Sequence, residues 1–279
     1  MNAPEADDPG PAPGPSLSLD DAALARDYDQ ISATWQFVAG QFLVDELTIK
    51  AGERVLDVGC GTGLLAQYIA DRTGASGYVL GIDPLPLRID IAAARARPGL
   101  EFRVGDAYEL GCFADGSFDV LCLNAVFHWL PEKTGPLREF ARLLQSGGRL
   151  GISMGLGHRE WPLREAVARV LAQAPFADYA MPPSAKRYPV TEQDMHDMLP
   201  AAGFAVARVQ VRQSVREMAS AEDSIRHSEA SSFGNFLSHL PAESRAAARD
   251  LIKRELESMA ASGPLREVRD RMIAIGVRQ

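Results

Sequence analysis

Cysteine is scarce in this 279-residue sequence, and the three that occur, Cys60, Cys112 and Cys122, are scattered along the chain. No CxxC pair and no Cys/His cluster accompanies them, which argues against a structural zinc site or a disulfide framework. We therefore expect free thiols in a reducing cytosol and no metal site.

Long apolar runs and excess basic charge are also missing. No run approaches the roughly 20 apolar residues that cross a bilayer, and residues 1–22 carry five acidic side chains and no basic one, unlike a secretory signal. The net charge of −8 leaves no dense basic surface for nucleic-acid phosphates. We expect a cytoplasmic protein without a membrane span or a nucleic-acid partner; nothing indicates its oligomeric state.

The N-terminal region changes character at about residue 20. Residues 1–20 are rich in proline, glycine and acid, so they bury too little to offset their ordering entropy and are predicted to be a disordered tail. Residues 21–50 predict an N-terminal helical lid, with one helix opening at the cap Ser18-Leu-Asp-Asp and a second over Trp35–Leu47.

Short apolar segments alternate with amphipathic ones from residue 53 onward. RVLDVG, YVLGID, LEFRVGDA, SFDVLCLNAV and RLGISMG predict strands separated by helices, and AVARVQVRQSV and VRDRMIAIGVR predict two more. Near-continuous apolar strands alternating with helices indicate an α/β fold with a doubly wound, mostly parallel seven-stranded sheet. Residues 51–157 form the predicted cofactor-binding core. Residues 158–279 hold the rest of the sheet and helical cap insertions at about 158–190 and 218–262.

The segment DVGCGTG joins the first strand to the following helix. Gly59, Gly61 and Gly63 allow the backbone to approach a ligand closely, and the helix N-terminus presents free N–H groups. Their spacing differs from the GxGxxG of dinucleotide sites, and Asp57 precedes them. A carboxylate there repels a pyrophosphate and attracts an ammonium group, which favours a positively charged cofactor over a nicotinamide dinucleotide.

Polar residues also follow the next three strands. Asp83 ends the second strand, where an acid is well placed to bind both hydroxyls of a ribose. Asp106 and the Ala107 N–H follow the third strand and could read the edge of an adenine. Asn124 ends the fourth. Because the carboxyl ends of parallel strands share one edge, these residues are expected to converge.

Together, VLDVGCGTG, VLGID, VGDAYEL, SFDVLCLNAVFHWL and LLQSGGRLGIS resemble the class I S-adenosylmethionine-dependent methyltransferases, over residues 25–155 and more loosely over 190–213. The resemblance implies their Rossmann-like fold and a place among the small-molecule enzymes, which include ubiquinone, arsenite and secondary-metabolite methyltransferases. Arsenite is disfavoured because the predicted cap has no thiol cluster.

The resemblance also implies site residues. Those implied for S-adenosylmethionine are Tyr28 in the lid, Asp57, Gly59, Gly61, Gly63, Asp83, Pro84, Leu85, Asp106, Ala107 and Asn124. Phe127 and Trp129 resemble residues that face the reacting methyl group in small-molecule enzymes. Phe233 and Phe236, helix-spaced in the cap, are predicted to complete an apolar substrate pocket.

The implied activity is transfer of a methyl group from S-adenosylmethionine to an O, S, N or C atom of a small, fairly apolar molecule. In-line displacement requires alignment in a dry pocket. A general base is needed only for a protonated nucleophile, and His128 is the candidate. Two alternatives stay open, a nicotinamide-dependent oxidoreductase on a related fold and a non-catalytic regulator that binds S-adenosylmethionine.

Overall fold

Seven strands form a single sheet in the structure, a computed structural model that describes residues 16–179, 187–188 and 190–279. They are β1 (Arg54–Val58), β2 (Tyr78–Asp83), β3 (Leu100–Val104), β4 (Phe118–Asn124), β5 (Leu144–Glu160), β6 (Phe204–Glu217) and β7 (Arg266–Arg278). Their order is β3-β2-β1-β4-β5-β7-β6. Only β7 runs antiparallel to its neighbours β5 and β6. The predicted mostly parallel seven-stranded α/β fold is confirmed.

Helices cover both faces of this sheet. They are α1 (Ala22–Asp27), α2 (Ala33–Leu47), α3 (Leu64–Thr73), α4 (Pro86–Ala93), α5 (Thr134–Leu143), α6 (Pro162–Leu171), α7 (Glu192–Ala201), α8 (Ala221–Ser231) and α9 (Ala242–Ala260). Helices α2 and α3 pack with Val55 on one face, whereas α5 and α7 pack with Leu56 on the other. Successive strand residues point to opposite faces, so covering both faces requires the near-continuous apolar strands seen in the sequence.

The N-terminal region departs from its predicted boundaries. Residues 1–15 of the predicted disordered tail lie outside the described residues. Leu17–Leu19 form a 3₁₀ turn, and the side chain of Asp20 is buried against Arg88 at 3.3 Å. The predicted tail is therefore too long at its C-terminal end, because composition alone cannot reveal a partner 68 residues away. The two predicted helices are joined by a π-helical turn over Tyr28–Ser32.

Strand β5 is longer than the predicted RLGISMG segment. It continues to Glu160 because β7 pairs with it beyond the parallel core, up to Glu160 opposite Val268. Strand β6 follows β7 over the same stretch, with Glu217 opposite Arg266. The extended parts of β5, β7 and β6 form an antiparallel wall beyond the carboxyl edge of the sheet.

Helices α6, α8 and α9 share an apolar cluster of their own above the sheet. It contains Leu163, Ala166, Val170, Ile225, Ala248, Ile252 and Leu256. These helices fall within the predicted cap insertions, of which residues 180–186 and 189 lie outside the described part of the chain. None of the described helices is both long and apolar enough to cross a membrane.

The sheet core provides a test of this packing. Phe140 of α5 is fully buried against the sheet, so Phe140→Ala should lower the free energy of unfolding by about 3–5 kcal/mol through lost burial and a residual cavity. Leu251→Ala, at an exposed position of α9, is the control and should cost less than about 1 kcal/mol. Urea unfolding followed by circular dichroism measures both; equal losses would contradict the packing.

Candidate active site

A cleft of about 970 Å³ opens at the carboxyl ends of β1 to β4. The sheet edge supplies Val58, Gly59, Asp83, Pro84, Leu85, Gly105, Asp106, Ala107, Tyr108, Asn124, Ala125, Val126, Trp129 and Leu130, and Leu17, Tyr28, Gln36, Arg88, Ser231 and Phe233 complete its lining. A smaller recess of about 320 Å³ adjoins it beside Asp57 and shares Gly59 and Asn124 with it.

The glycine loop is packed tightly between strand, lid and helix. Gly59 has φ 72°, and a Cβ there would lie 2.2 Å from Val126. At Gly61, with φ 56°, it would lie 2.9 Å from the Tyr28 hydroxyl. Gly63 has φ 86° and packs against Phe102 instead of bordering either recess. The loop therefore needs glycine for its conformation, and Gly59 is the one that faces both recesses.

Asp57 lies buried at the end of β1 and borders the smaller recess. Its Oδ2 atom has no hydrogen-bond partner in the described structure. Burial, and then the charge of Asp83, raise the pKa of Asp57 to about 7, although a hydrogen bond with Cys122 opposes the shift. A buried carboxyl in this setting is suited to a cationic ligand, whose charge would restore its ionised form.

Asp83 lies at the end of β2 and accepts backbone hydrogen bonds from two loops. Its Oδ2 accepts a hydrogen bond from the Gly61 N–H at 2.9 Å, and its Oδ1 accepts one from the Leu85 N–H at 3.0 Å. Burial raises the pKa of Asp83, and the charge of Arg88 lowers it. Asp83, Pro84 and Leu85 thus form one bordering segment of the larger cleft.

Asp106, Ala107 and Asn124 also border that cleft. Asp106 Oδ1 accepts from the Tyr108 N–H at 2.9 Å, which fixes the turn after β3. The Asn124 amide donates to the Gln36 carbonyl at 2.8 Å, so its side chain ties α2 to the sheet edge. The structure brings all the implied cofactor residues to this edge, with Gly61 and Gly63 packed behind the surface of the recesses.

Tyr28 covers the glycine loop, and its hydroxyl donates to Gln36 Oε1 at 2.6 Å. Burial raises the pKa of Tyr28. The guanidinium of Arg88 lies 3.8 Å from the Tyr28 ring centroid and 4.8 Å from that of Phe233. Arg88 also donates to Asp20 and to the Ala230 carbonyl. It therefore joins the N-terminal segment, lid and cap at the cleft.

Sequence reasoning missed Arg88. One signal was available, since Arg88 stands four residues before the buried Ala92 on α4. An arginine on the buried stripe of a helix needs polar partners.

Of the four predicted substrate-pocket aromatics, two line the cleft. Trp129 and Phe233 meet there edge to face, with ring centroids 5.1 Å apart. Phe127 is instead fully buried in the sheet core, and Phe236 packs against the cap core. The prediction that Phe127 and Phe236 line the pocket was wrong, because each packs against an apolar cluster and not in the cleft.

His128 lies on the 3₁₀ turn Phe127–Trp129 after β4, and its ring centroid is 5.1 Å from that of Trp129. It is buried and not among the residues that line the cleft. Burial, followed by the charges of Arg187, Arg271, Lys133 and Arg269, lowers the pKa of His128 well below 6.5. The imidazole is therefore neutral at physiological pH, and its surroundings oppose the uptake of a proton.

Within the described residues, no three His, Cys, Asp or Glu side chains are grouped so that they could hold a metal ion.

Comparisons with known proteins agree with this geometry. A family model described as a methyltransferase domain matches residues 56–152. The chain is 31% identical over 257 residues to nocamycin O-methyltransferase of Saccharothrix syringae, covering 87% of this chain and 91% of that protein. It is 40% identical over 117 residues to methyltransferase GfsG of Streptomyces halstedii, covering 40% of this chain but only 41% of GfsG.

Among solved structures, the YcgJ protein of Bacillus subtilis matches with a TM-score of 0.60 and 18% identity, covering 86% of this chain and 98% of that one. At this identity the match supports the fold.

The buried Asp57 generates a prediction about the free protein. Its pKa of about 7 exceeds the ~3.9 of an unfolded chain, so the folded state is destabilised progressively between about pH 4 and pH 7 and fully above that. Asp57→Asn should therefore raise the melting temperature at pH 8, with a smaller gain at pH 5. Thermal unfolding at both pH values measures this, with exposed Asp90→Asn as control. A gain independent of pH would contradict the shifted pKa.

Proposed function

Because the chain belongs to the class I S-adenosylmethionine-dependent methyltransferases, we propose that it transfers the methyl group of this cofactor to a nucleophilic atom of a small, fairly apolar molecule. The observation that carries the proposal is the buried Asp57 carboxyl, whose Oδ2 has no hydrogen-bond partner among the described residues, beside a cleft bordered by Asp83. S-adenosylmethionine combines an ammonium, a ribose and an adenine, and the three strand ends offer a matching group for each.

The residues at the edge fit that cofactor. Asp57 would take the ammonium, which supplies the counter-charge that the buried carboxyl lacks. Asp83 would take the ribose hydroxyls, because each carboxylate oxygen can accept a hydrogen bond beyond the one it already has. Asp106 and the Ala107 N–H would bind the adenine edge, and Gly59 allows the backbone to approach the methionine part.

The bound cofactor supplies an activated methyl group on a positively charged sulfur. The chain's own residues then align the acceptor and exclude water, which is the main requirement of an in-line displacement. Trp129 and Phe233 offer an apolar wall for the acceptor, while Tyr28 and Leu17 cover the cleft from the N-terminal side.

The acceptor atom is proposed only as O, S, N or C. His128 is retained as the candidate base, but burial and then the surrounding cations lower the pKa of its imidazole and make it a weak one. An acceptor that arrives already ionised would suit this site better than one that must lose a proton first.

The remaining parts of the proposal concern the whole molecule. We propose that the core over residues 51–157 binds the cofactor, that the regions about 158–190 and 218–262 act as a cap, and that the protein works in the cytoplasm without nucleic acid. The acidic composition supports the last point.

Cofactor binding tests the proposal directly. Isothermal titration should show binding of S-adenosylhomocysteine and not of NADH. Asp83→Ala should weaken the former at least tenfold, since it strands the ribose hydroxyls and frees the Gly61 and Leu85 N–H groups. Asp90→Ala, exposed on α4, should bind as the parent does. An unchanged dissociation constant for Asp83→Ala, or tight NADH binding, would contradict the assignment.

The role of His128 needs a separate test. With the best acceptor from a labelled-methyl screen of phenols, thiols, amines and quinones, His128→Ala should lower kcat more than it lowers affinity for S-adenosylhomocysteine. The pKa of His128 lies well below 6.5, so the parent's kcat should show no loss assignable to this group between pH 8 and 6.5. His196→Ala, exposed on α7, is the control. Equal turnover by His128→Ala and the parent would leave His128 a structural residue.

A further inference from the structure

The antiparallel wall above the sheet edge carries an unusual set of charges. Residues 267, 269 and 271 alternate along β7 and so lie on one face of the wall. Arg269 and Arg271 occupy two of these positions, and their charges, with that of Arg187, all act on His128. We call Arg187, Arg269 and Arg271 the arginine cluster.

Arg271 is the buried member of the cluster, with 7% of its surface exposed. Its guanidinium donates to Ser153 Oγ at 2.9 Å and to Asn124 Oδ1 at 3.5 Å. Both partners are neutral, and no carboxylate among the described residues forms an ion pair with it. Burial, and then the charge of Arg269, lower the pKa of Arg271 to about 9. A buried cation without a counter-charge is costly to maintain.

No ion pair is seen between either of the other two members and a carboxylate of the described residues, although the charge of Glu267 acts on Arg187. The Arg187 guanidinium lies 4.9 Å from the Trp129 ring centroid, and desolvation and the charge of Arg269 lower the pKa of Arg187. Arg269 is half-buried and its side chain makes no hydrogen bond to a described residue. The neighbouring acid, Glu267, lies 2.6 Å from a fourth arginine, Arg216. Positive charge is therefore in excess on this face.

None of the three arginines lines the cleft itself, but two of them contact residues that do. Asn124, which accepts from Arg271, lines both recesses, and Trp129, which contacts Arg187, lines the larger one. The acids Asp57 and Asp83 stand on the β1 and β2 side of the same edge. The edge is thus negative on the side assigned to the cofactor and positive on the side of β7.

We propose that the acceptor substrate carries an anionic group, a carboxylate or a phosphate, that binds the arginine cluster while its apolar body lies against Trp129 and Phe233. This rests on the proposed function, since it concerns the substrate of the same site. Guanidinium groups bind either anion through paired, charge-assisted hydrogen bonds. The anion supplies the counter-charge that Arg271 lacks, and the aromatic pair accepts the rest of the molecule.

Three probes that share one apolar body test the inference, namely 2-naphthoate, 2-naphthyl phosphate and the neutral 2-naphthamide. Each is titrated into the full chain with and without S-adenosylhomocysteine. At least one anion should bind about tenfold or more tightly than the amide. The better anion identifies the class, carboxylate or phosphate. Equal affinity of all three probes would overturn the proposal.

Variants of β7 localise the effect. Arg269→Gln should weaken binding of the preferred anion about tenfold and leave naphthamide binding within twofold. Arg266→Gln is the matched control, because Arg266 is exposed on the same strand and lies 3.8 Å from Glu217, outside the cluster. If Arg269→Gln folds poorly, Arg187→Gln provides the same readout. Undiminished anion binding in the folded variant would refute the site.

The two proposals can fail separately in this experiment. Binding of S-adenosylhomocysteine without any preference for anions would remove the arginine subsite and leave the proposed function standing. A preference for anions in a chain that does not bind S-adenosylhomocysteine would contradict the proposed function and leave the arginine subsite standing.

Discussion

Two buried carboxyl groups near the ends of the neighbouring strands β1 and β2, Asp57 and Asp83, impose the main constraint on this site. Burial, and then the charge of Asp83, raise the cost of ionising Asp57. The strand pairing of β1 with β2, within a sheet covered on both faces, fixes the positions of both residues. The fold satisfies Asp83 with two backbone N–H groups and a nearby guanidinium. Asp57 is left with one oxygen that has no hydrogen-bond partner among the described residues, which leaves it available to a cationic ligand.

The segments that cover the cleft are linked to the buried acid Asp83 through Arg88. Arg88, whose charge acts on Asp83, also contacts the Tyr28 ring, Asp20 and the cap residue Phe233. A single guanidinium thus links the buried acid at the sheet edge to the N-terminal segment, the lid and the cap. Because these contacts are desolvated, each is stronger than the same contact would be in water. The cover over the cleft is therefore coupled electrostatically to the site beneath it.

Local sequence patterns predicted the core and the polar residues at the strand ends. Both the periodicity of a strand and the residue that follows it are contained in a segment of about ten residues. Features that depend on partners far along the chain could not be predicted from local sequence patterns. Asp20 is ordered by Arg88, and β5 is extended by β7, more than 100 residues further along the chain. Phe127 and Phe233 show a third kind of limit. Both are apolar aromatics near turns, and only the tertiary packing decides which enters a core and which faces the cleft.

In the proposed arrangement, the distribution of charge along the edge assigns the two reactants to different places. A cofactor bearing an ammonium and a sulfonium is attracted by Asp57 and Asp83 and repelled by the arginine cluster. An anionic acceptor of the kind proposed would experience the opposite forces, so each reactant would be disfavoured in the other's place without a steric barrier. Asn124 lies on the boundary, since its amide donates to Gln36 on the cofactor side and its carbonyl oxygen accepts from Arg271 on the other.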